Sequence, residues 1–186
     1  MPALDHLVGL FYRDIAELGA FEEVLAEAVP EPYRALLAHH EHMTVAVERH
    51  HGCPVNVAVL AAQRTGDYYS RKIVLHRHSD RQPVLFGIPR LNLRLVDDNV
   101  RREILSENKP LGRVLIDHNV LREVQLASLY RVVPGPGLHQ LFSLGDTLAA
   151  NGQPLATYGR TAFIYCDGFP AVELLEIVSP EPATPG

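Results

Sequence analysis

The stretch "YGRTAFIYCDGFPAVELLEIVS" (Tyr158–Ser179) constrains the fold more than any other part of this chain. Two runs rich in aromatic and branched residues flank Asp167-Gly168. Asp-Gly suits a two-residue hairpin turn, because both central positions of that turn need φ > 0. The chain is therefore expected to build an antiparallel sheet. Further strand-like runs lie upstream: "VNVAVLAA", then "YYSRKIVLH" after the turn-like "QRTGD", then "PVLFGIPRLNLRL". The first reads as buried. The third carries a Gly-Ile-Pro irregularity that suggests a bulge or an edge strand. "LREVQLASLYRVV" fits a helix or a strand equally well.

Helical patterns gather near the start. Leu7, Leu10, Phe11, Ile15, Leu18 and Phe21 recur at helical spacing over residues 5–28. A second helix is expected to start near Pro32, run through Leu36, Leu37, Met43 and Val47, and stop at Gly52. "DDNVRREILSE" opens on a capping Asp and groups Val100, Ile104 and Leu105. "PLGRVLID" reads as a short helix opened by Pro110. "VVPGPGLHQLFSLGD" reads as a loop leading to another short helix. Helices first and strands later favour an α+β domain with a mostly antiparallel sheet. No repeat or linker divides the chain, so one domain is expected over residues 1–180, with 181–186 ("EPATPG") as a disordered tail.

The balance of charge excludes some functions. A net charge of -5 over 186 residues, with no basic run, argues against nucleic-acid binding. No apolar run approaches the roughly 20 residues of a membrane span, and the acidic start is unlike a secretory signal. With only Cys53 and Cys166, no disulfide framework is possible. A reducing cytoplasm is the expected compartment.

Two charges break otherwise apolar strand faces. Alternation puts Tyr69, Arg71, Ile73 and Leu75 on one face, with Lys72 on the other. In the last strand it groups Val172, Leu174, Glu176 and Val178. A buried charge is costly unless it is paired or serves a ligand. One reading is a structural salt bridge between Arg71 and Glu176. The other is an internal pocket in which Arg71 grips a carboxylate bidentately and Glu176 gives up a proton.

Four blocks, "HMT" (His42–Thr44), "YYSRKIVL", "NKPLGRVL" and "YGRTAF" with "GFPAVELLEIVSP", together resemble the chorismate pyruvate-lyase (4-hydroxybenzoate synthase) family, in its DUF98-type branch. The resemblance implies an antiparallel sheet of about six strands, helices packed on it, and an enclosed internal cavity. It also implies removal of pyruvate from chorismate, leaving 4-hydroxybenzoate, with product inhibition. Arg71 and the amides near Met43 and Leu111 would hold the ring carboxylate. Glu176, four residues before Pro180, would protonate the departing ether oxygen. Glu173 is the competing glutamate, but parity places it on the opposite face. Lys72 and the long segment 132–157 depart from the family pattern and bear on the substrate. No cofactor and no metal are implied. The expected partner is a small aromatic or cyclic carboxylate, and the expected state is a monomer or small homo-oligomer. Two rival functions use the same pocket. One is elimination, dehydration or cyclisation of a polyketide-like molecule. The other is non-enzymatic ligand binding, as in effector modules of transcription regulators.

His39, His40, His42, His50 and His51, with His76 and His78 nearby, suggest metal binding, yet no H-E-x-x-H or paired Cys accompanies them. They read as a solvated polar face with one histidine at the pocket edge. Arg113 and Arg160 read as structural partners of carboxylates, and both cysteines as ordinary small residues.

Overall fold

The computed structural model describes residues 4–120, 122–145 and 155–181. Part of the 132–157 segment and all of the tail after Glu181 lie outside that range. The chain forms α1 (Leu4–Gly9), β1 (Gly19–Val24), α2 (Tyr33–Leu37), α3 (Met43–His51), β2 (Val55–Thr65), β3 (Tyr68–Arg77) and β4 (Pro83–Asn92). It continues through α4 (Asp98–Leu105), α5 (Leu111–Asp117), β5 (Arg122–Pro134), α6 (Pro136–Leu141), β6 (Thr157–Cys166) and β7 (Phe169–Val178). Short 3-10 turns fill some of the joints.

The strands make one seven-stranded sheet in the order β1-β5-β6-β7-β4-β3-β2, antiparallel throughout. The α+β, single-sheet expectation holds. Asp167 and Gly168 close the β6–β7 hairpin at φ 50° and 82°, as the Asp-Gly pair requires. Gly159 is needed for a different reason. A Cβ there would stand 2.8 Å from the Glu176 carbonyl oxygen on the neighbouring strand.

Both faces of the central strands are buried, since helices cover each side. On one face α1 and α6 pack Leu7, Val8, Leu138 and Phe142 against Val74, Phe86, Ile88, Leu175 and Ile177. The other face carries two separate apolar clusters. One joins α4 and α5 to Leu91, Ala162, Ile164, Val172 and Leu174. The second joins α2 and α3 to Ile73, Leu75, Leu85 and Val178. Clusters of this size supply most of the folding drive, at roughly 25 cal/mol per Å² of apolar surface removed from water.

Several expectations are corrected. The seventh strand is β1, inside the segment read as helical. Phe21 packs edge-to-face on Tyr130 across the β1–β5 pair (centroids 6.1 Å apart), so cross-strand pairing outweighs the helical spacing. The single helix expected from Pro32 to Gly52 is two helices, broken over residues 38–42. Its C-terminal stop stands, with Gly52 left-handed at φ 64°. β2 is an edge strand with a bulge at Leu60, between Val59 and Ala61. β4 is central, not an edge. It accommodates Pro89 because the β3–β4 ladder lapses at Arg71 and Lys72, opposite Pro89 and Ile88, then resumes in unchanged register. A proline has no N–H to give there. Leu105 faces solvent rather than joining Val100 and Ile104. Glu181, assigned to the tail, is held by its backbone N–H on the Tyr33 hydroxyl at 2.7 Å.

Candidate functional site

The seam between the two clusters on the α2–α5 face is a cavity of about 40 Å³. β3 contributes Arg71, Ile73 and Leu75, β4 contributes Leu85, Gly87 and Pro89, and β7 contributes Leu174 and Glu176. Met43 and Thr44 of α3 and Leu111 and Gly112 of α5 close it from above. All four sequence-derived site residues, Arg71, Glu176, Met43 and Leu111, therefore line one space. Glu173 lies on the other face of the sheet, 3.4 Å from Arg90.

Arg71 is 2% exposed. Its Nη2 donates to the Lys109 carbonyl at 3.3 Å, and its Nη1 has no partner. Among the described residues no carboxylate lies within ion-pair distance of it. The Tyr69 hydroxyl stands nearby and donates instead to Glu107 at 2.5 Å. Burial presses the Arg71 guanidinium below its ordinary pKa, while the neighbouring Tyr69 and Glu107 oppose that shift. Burial, and then the bond to Glu107, raise the Tyr69 hydroxyl well above its ordinary value.

Glu176 has a different partner from the one its strand parity suggests. Arg160, on the adjacent β6, donates from Nε to the Glu176 carboxylate at 2.8 Å. The same guanidinium donates to the carbonyls of Leu37 (3.3 Å), His39 (3.1 Å) and Glu41 (3.1 Å). Arg160 thus takes up carbonyl groups freed by the break between α2 and α3, and ties that linker to the cavity wall. The Arg71–Glu176 salt bridge is replaced by this one. The sequence hinted at Arg160 as a carboxylate partner but carried no sign of its three backbone acceptors. Arg113 is likewise structural and pairs with Glu48.

α3 begins at the cavity without a side-chain cap. Its first-turn N–H groups and positive dipole end thus meet the same space as Arg71. His42, the residue before it, accepts from Arg122 Nε at 2.7 Å, a contact with no sequence signal. Burial, then Arg122 and Arg160, hold the His42 pKa down to about 4, so it meets that bond as a neutral ring. Outside the linker lies an open groove of about 640 Å³, lined by His40, Glu41, His42, Val45 and Arg122 among others. It is larger than the cavity but open to water, and it holds no buried unpaired charge.

No family model matches the chain, and no curated protein matches it. Among solved structures, PhnF from Mycobacterium smegmatis is 12% identical, over 74% of this chain and 63% of its own, with a TM-score of 0.48. The ligand-binding domain of a putative GntR-family transcriptional regulator from Bordetella bronchiseptica is 11% identical, over 70% of this chain and 92% of its own, with a TM-score of 0.44. The gene product SA0254 from Staphylococcus aureus subsp. aureus N315 is 7% identical, over 67% of this chain and 82% of its own, with a TM-score of 0.47. Likenesses this distant do not bear on function. The resemblance to the chorismate pyruvate-lyase family is corrected by these results. No match to that family is found among family models or curated proteins. Residues of "HMT", "YYSRKIVL", "NKPLGRVL" and "GFPAVELLEIVSP" line the one cavity, while "YGRTAF" reaches it through the Arg160–Glu176 pair.

Proposed function

We propose that this chain binds a small organic anion, an aromatic or cyclic carboxylate, on Arg71 and does not transform it. One observation carries the reading: a guanidinium buried in an apolar cavity, with an unsatisfied Nη1 and no carboxylate partner among the described residues. A buried charge whose neighbouring carboxylate, Glu107, stands outside ion-pair distance is held at a cost, which an anionic ligand offsets. The planar fork of arginine fits a carboxylate by two parallel bonds. The uncapped start of α3 adds a second source of positive potential.

Cavity size limits what enters without movement. About 40 Å³ holds roughly three waters at ~10–15 Å³ each, or the head of a carboxylate. A ring must displace lining side chains, and the unbranched Met43 is the one best suited to yield. The binding reading is preferred to catalysis because Arg160, a donor only, engages Glu176 as an acceptor, so the nominal acid is already occupied.

Calorimetric titration with benzoate, and with the neutral isostere benzamide, tests the proposal. Benzoate is expected to bind and benzamide to fail, with the benzoate signal lost in Arg71→Met. Equal binding of both, or benzoate affinity that survives the substitution, defeats it.

A catalytic use of the same cavity is a second reading, favoured by one observation: Arg71 and Glu176 both line it. Elimination from a cyclic anion would then follow. Pyruvate release from chorismate, lost in Glu176→Gln but not in Glu173→Gln, would support it. Absence of turnover by the wild type would remove it.

A further inference from the structure

α3 ends in two adjacent histidines, and the chain beyond β7 returns to them. His50 Nε2 lies 3.0 Å from Glu181 Oε1, and the His50 and His51 rings meet edge-to-face with centroids 4.7 Å apart. One ligating atom from each of His50, His51 and Glu181 lies within 4.8 Å of the other two. Among the described residues this is the one group of three such side chains. From this convergence we propose that His50, His51 and Glu181 bind one divalent transition-metal ion of the zinc class.

Two imidazoles and a carboxylate are the donor set that zinc accepts, whereas calcium and magnesium require oxygen ligands throughout. The groups come from two places in the chain, the end of α3 and the segment after β7, and each is held separately. Gly52, left-handed at φ 64°, closes the helix directly after the two histidines. Glu181 is fixed by its backbone N–H on the Tyr33 hydroxyl at 2.7 Å, so its carboxylate does not depend on a free chain end. The last turn of α3 also presents the negative end of the helix dipole, which favours a cation. Arg77, which acts on His51 and Glu181, is offset by its pair with Asp80 at 2.5 Å. Metal binding requires the proton that His50 Nε2 donates to Glu181 to leave or to move to Nδ1, which frees Nε2 as a ligand and lets Glu181 exchange its hydrogen bond for a metal bond. The site is partly exposed, which leaves positions for water. A metal there joins the far end of α3 to the strand-following segment, while the near end of α3 closes the Arg71 cavity.

The test uses the full, tag-free chain. Co²⁺ titration is followed by absorption, then Zn²⁺ is added in competition. The expected result is one Co²⁺ per chain, displaced by Zn²⁺, with affinity falling roughly tenfold or more in each of His50→Ala, His51→Ala and Glu181→Gln. His78→Ala, outside the cluster, should bind as wild type. Zn²⁺ should also raise the melting temperature of the wild type and not of the three variants, whose metal-free melting shows whether they fold. If any variant fails to fold, the conservative His50→Asn and His51→Asn replace it. Binding that is unaltered across the three variants, or adventitious binding only at millimolar metal, overturns the proposal.

Discussion

Arg71 and Arg160 are both withdrawn from water, yet their surroundings differ in kind. Arg160 meets a carboxylate and three carbonyls, whereas Arg71 meets one carbonyl and the Tyr69–Glu107 pair, with no direct ion pair. Arg71→Met should therefore leave the ligand-free protein about as stable as wild type, because a buried charge with no direct ion pair is replaced by an apolar chain of similar length. Benzoate affinity should fall by about 2–3 kcal/mol, the weight of a charge-assisted pair. Urea melts with and without benzoate measure both effects. His42 offers a pH test. Its pKa is about 4 in the fold against an ordinary 6.5. Between those values the unfolded chain holds the proton and the folded one does not. Stability from this group is complete above pH 6.5 and falls as pH drops toward 4, by about 3 kcal/mol. His39, His51 and His76 are also lowered, mainly by burial, and act with the same sign. The share of His42 is isolated by His42→Gln, which still accepts from Arg122 and should flatten the loss between urea midpoints at pH 7 and pH 4.5. At this scale Arg71 and Glu176 were legible in the sequence, since alternation alone sets a charge on an apolar face. Their partners were not, because no periodicity links Glu176 to an arginine on the next strand, or Arg160 to a helix linker.

Arg160 acts on an element as well as on a residue. Helical bonding is interrupted in the linker of residues 38–42, and the guanidinium donates instead to the carbonyls of Leu37, His39 and Glu41. Arg160→Met should cost about 3–5 kcal/mol, since it strands a part-buried Glu176 and the carbonyls of Leu37, His39 and Glu41 together. Amide exchange around residues 38–43 should accelerate before the rest of the chain. Unfolding midpoints and peptide-level exchange check both. The break itself could have been suspected from the three histidines of "AHHEH", since His is a weaker helix former than Ala or Glu. Other elements were read in proportion to how local their causes are. The β6–β7 hairpin and Gly52 follow from turn chemistry within a few residues. β1 and β5 follow from pairing with each other over a separation of more than a hundred residues, which a local window cannot register.

For the whole molecule, ligand binding and folding are linked. Benzoate at a hundred times its Kd should add about 2.7 kcal/mol, and so raise the melting temperature by about 5–10 °C in a domain of 186 residues. Thermal melts over a benzoate series check this, and Arg71→Met should show no shift. The cavity joins two helix clusters, so the gain should appear as a single cooperative transition rather than as two. Antiparallel architecture was legible at this scale. The small size of the cavity was not, because it depends on how two helical covers settle over one sheet face.

β2 closes one side of the sheet with eleven residues, and Leu60 stands 44% exposed at its bulge. A straight edge of that length would offer a row of unpaired N–H and C=O groups to any passing strand, including that of a second copy. The extra residue at Leu60 twists the rim and throws the spacing out of step halfway along. A strand that pairs along the whole rim must absorb the extra residue, as β3 does on the inner side, and a regular strand from a second copy meets only half of the border in step.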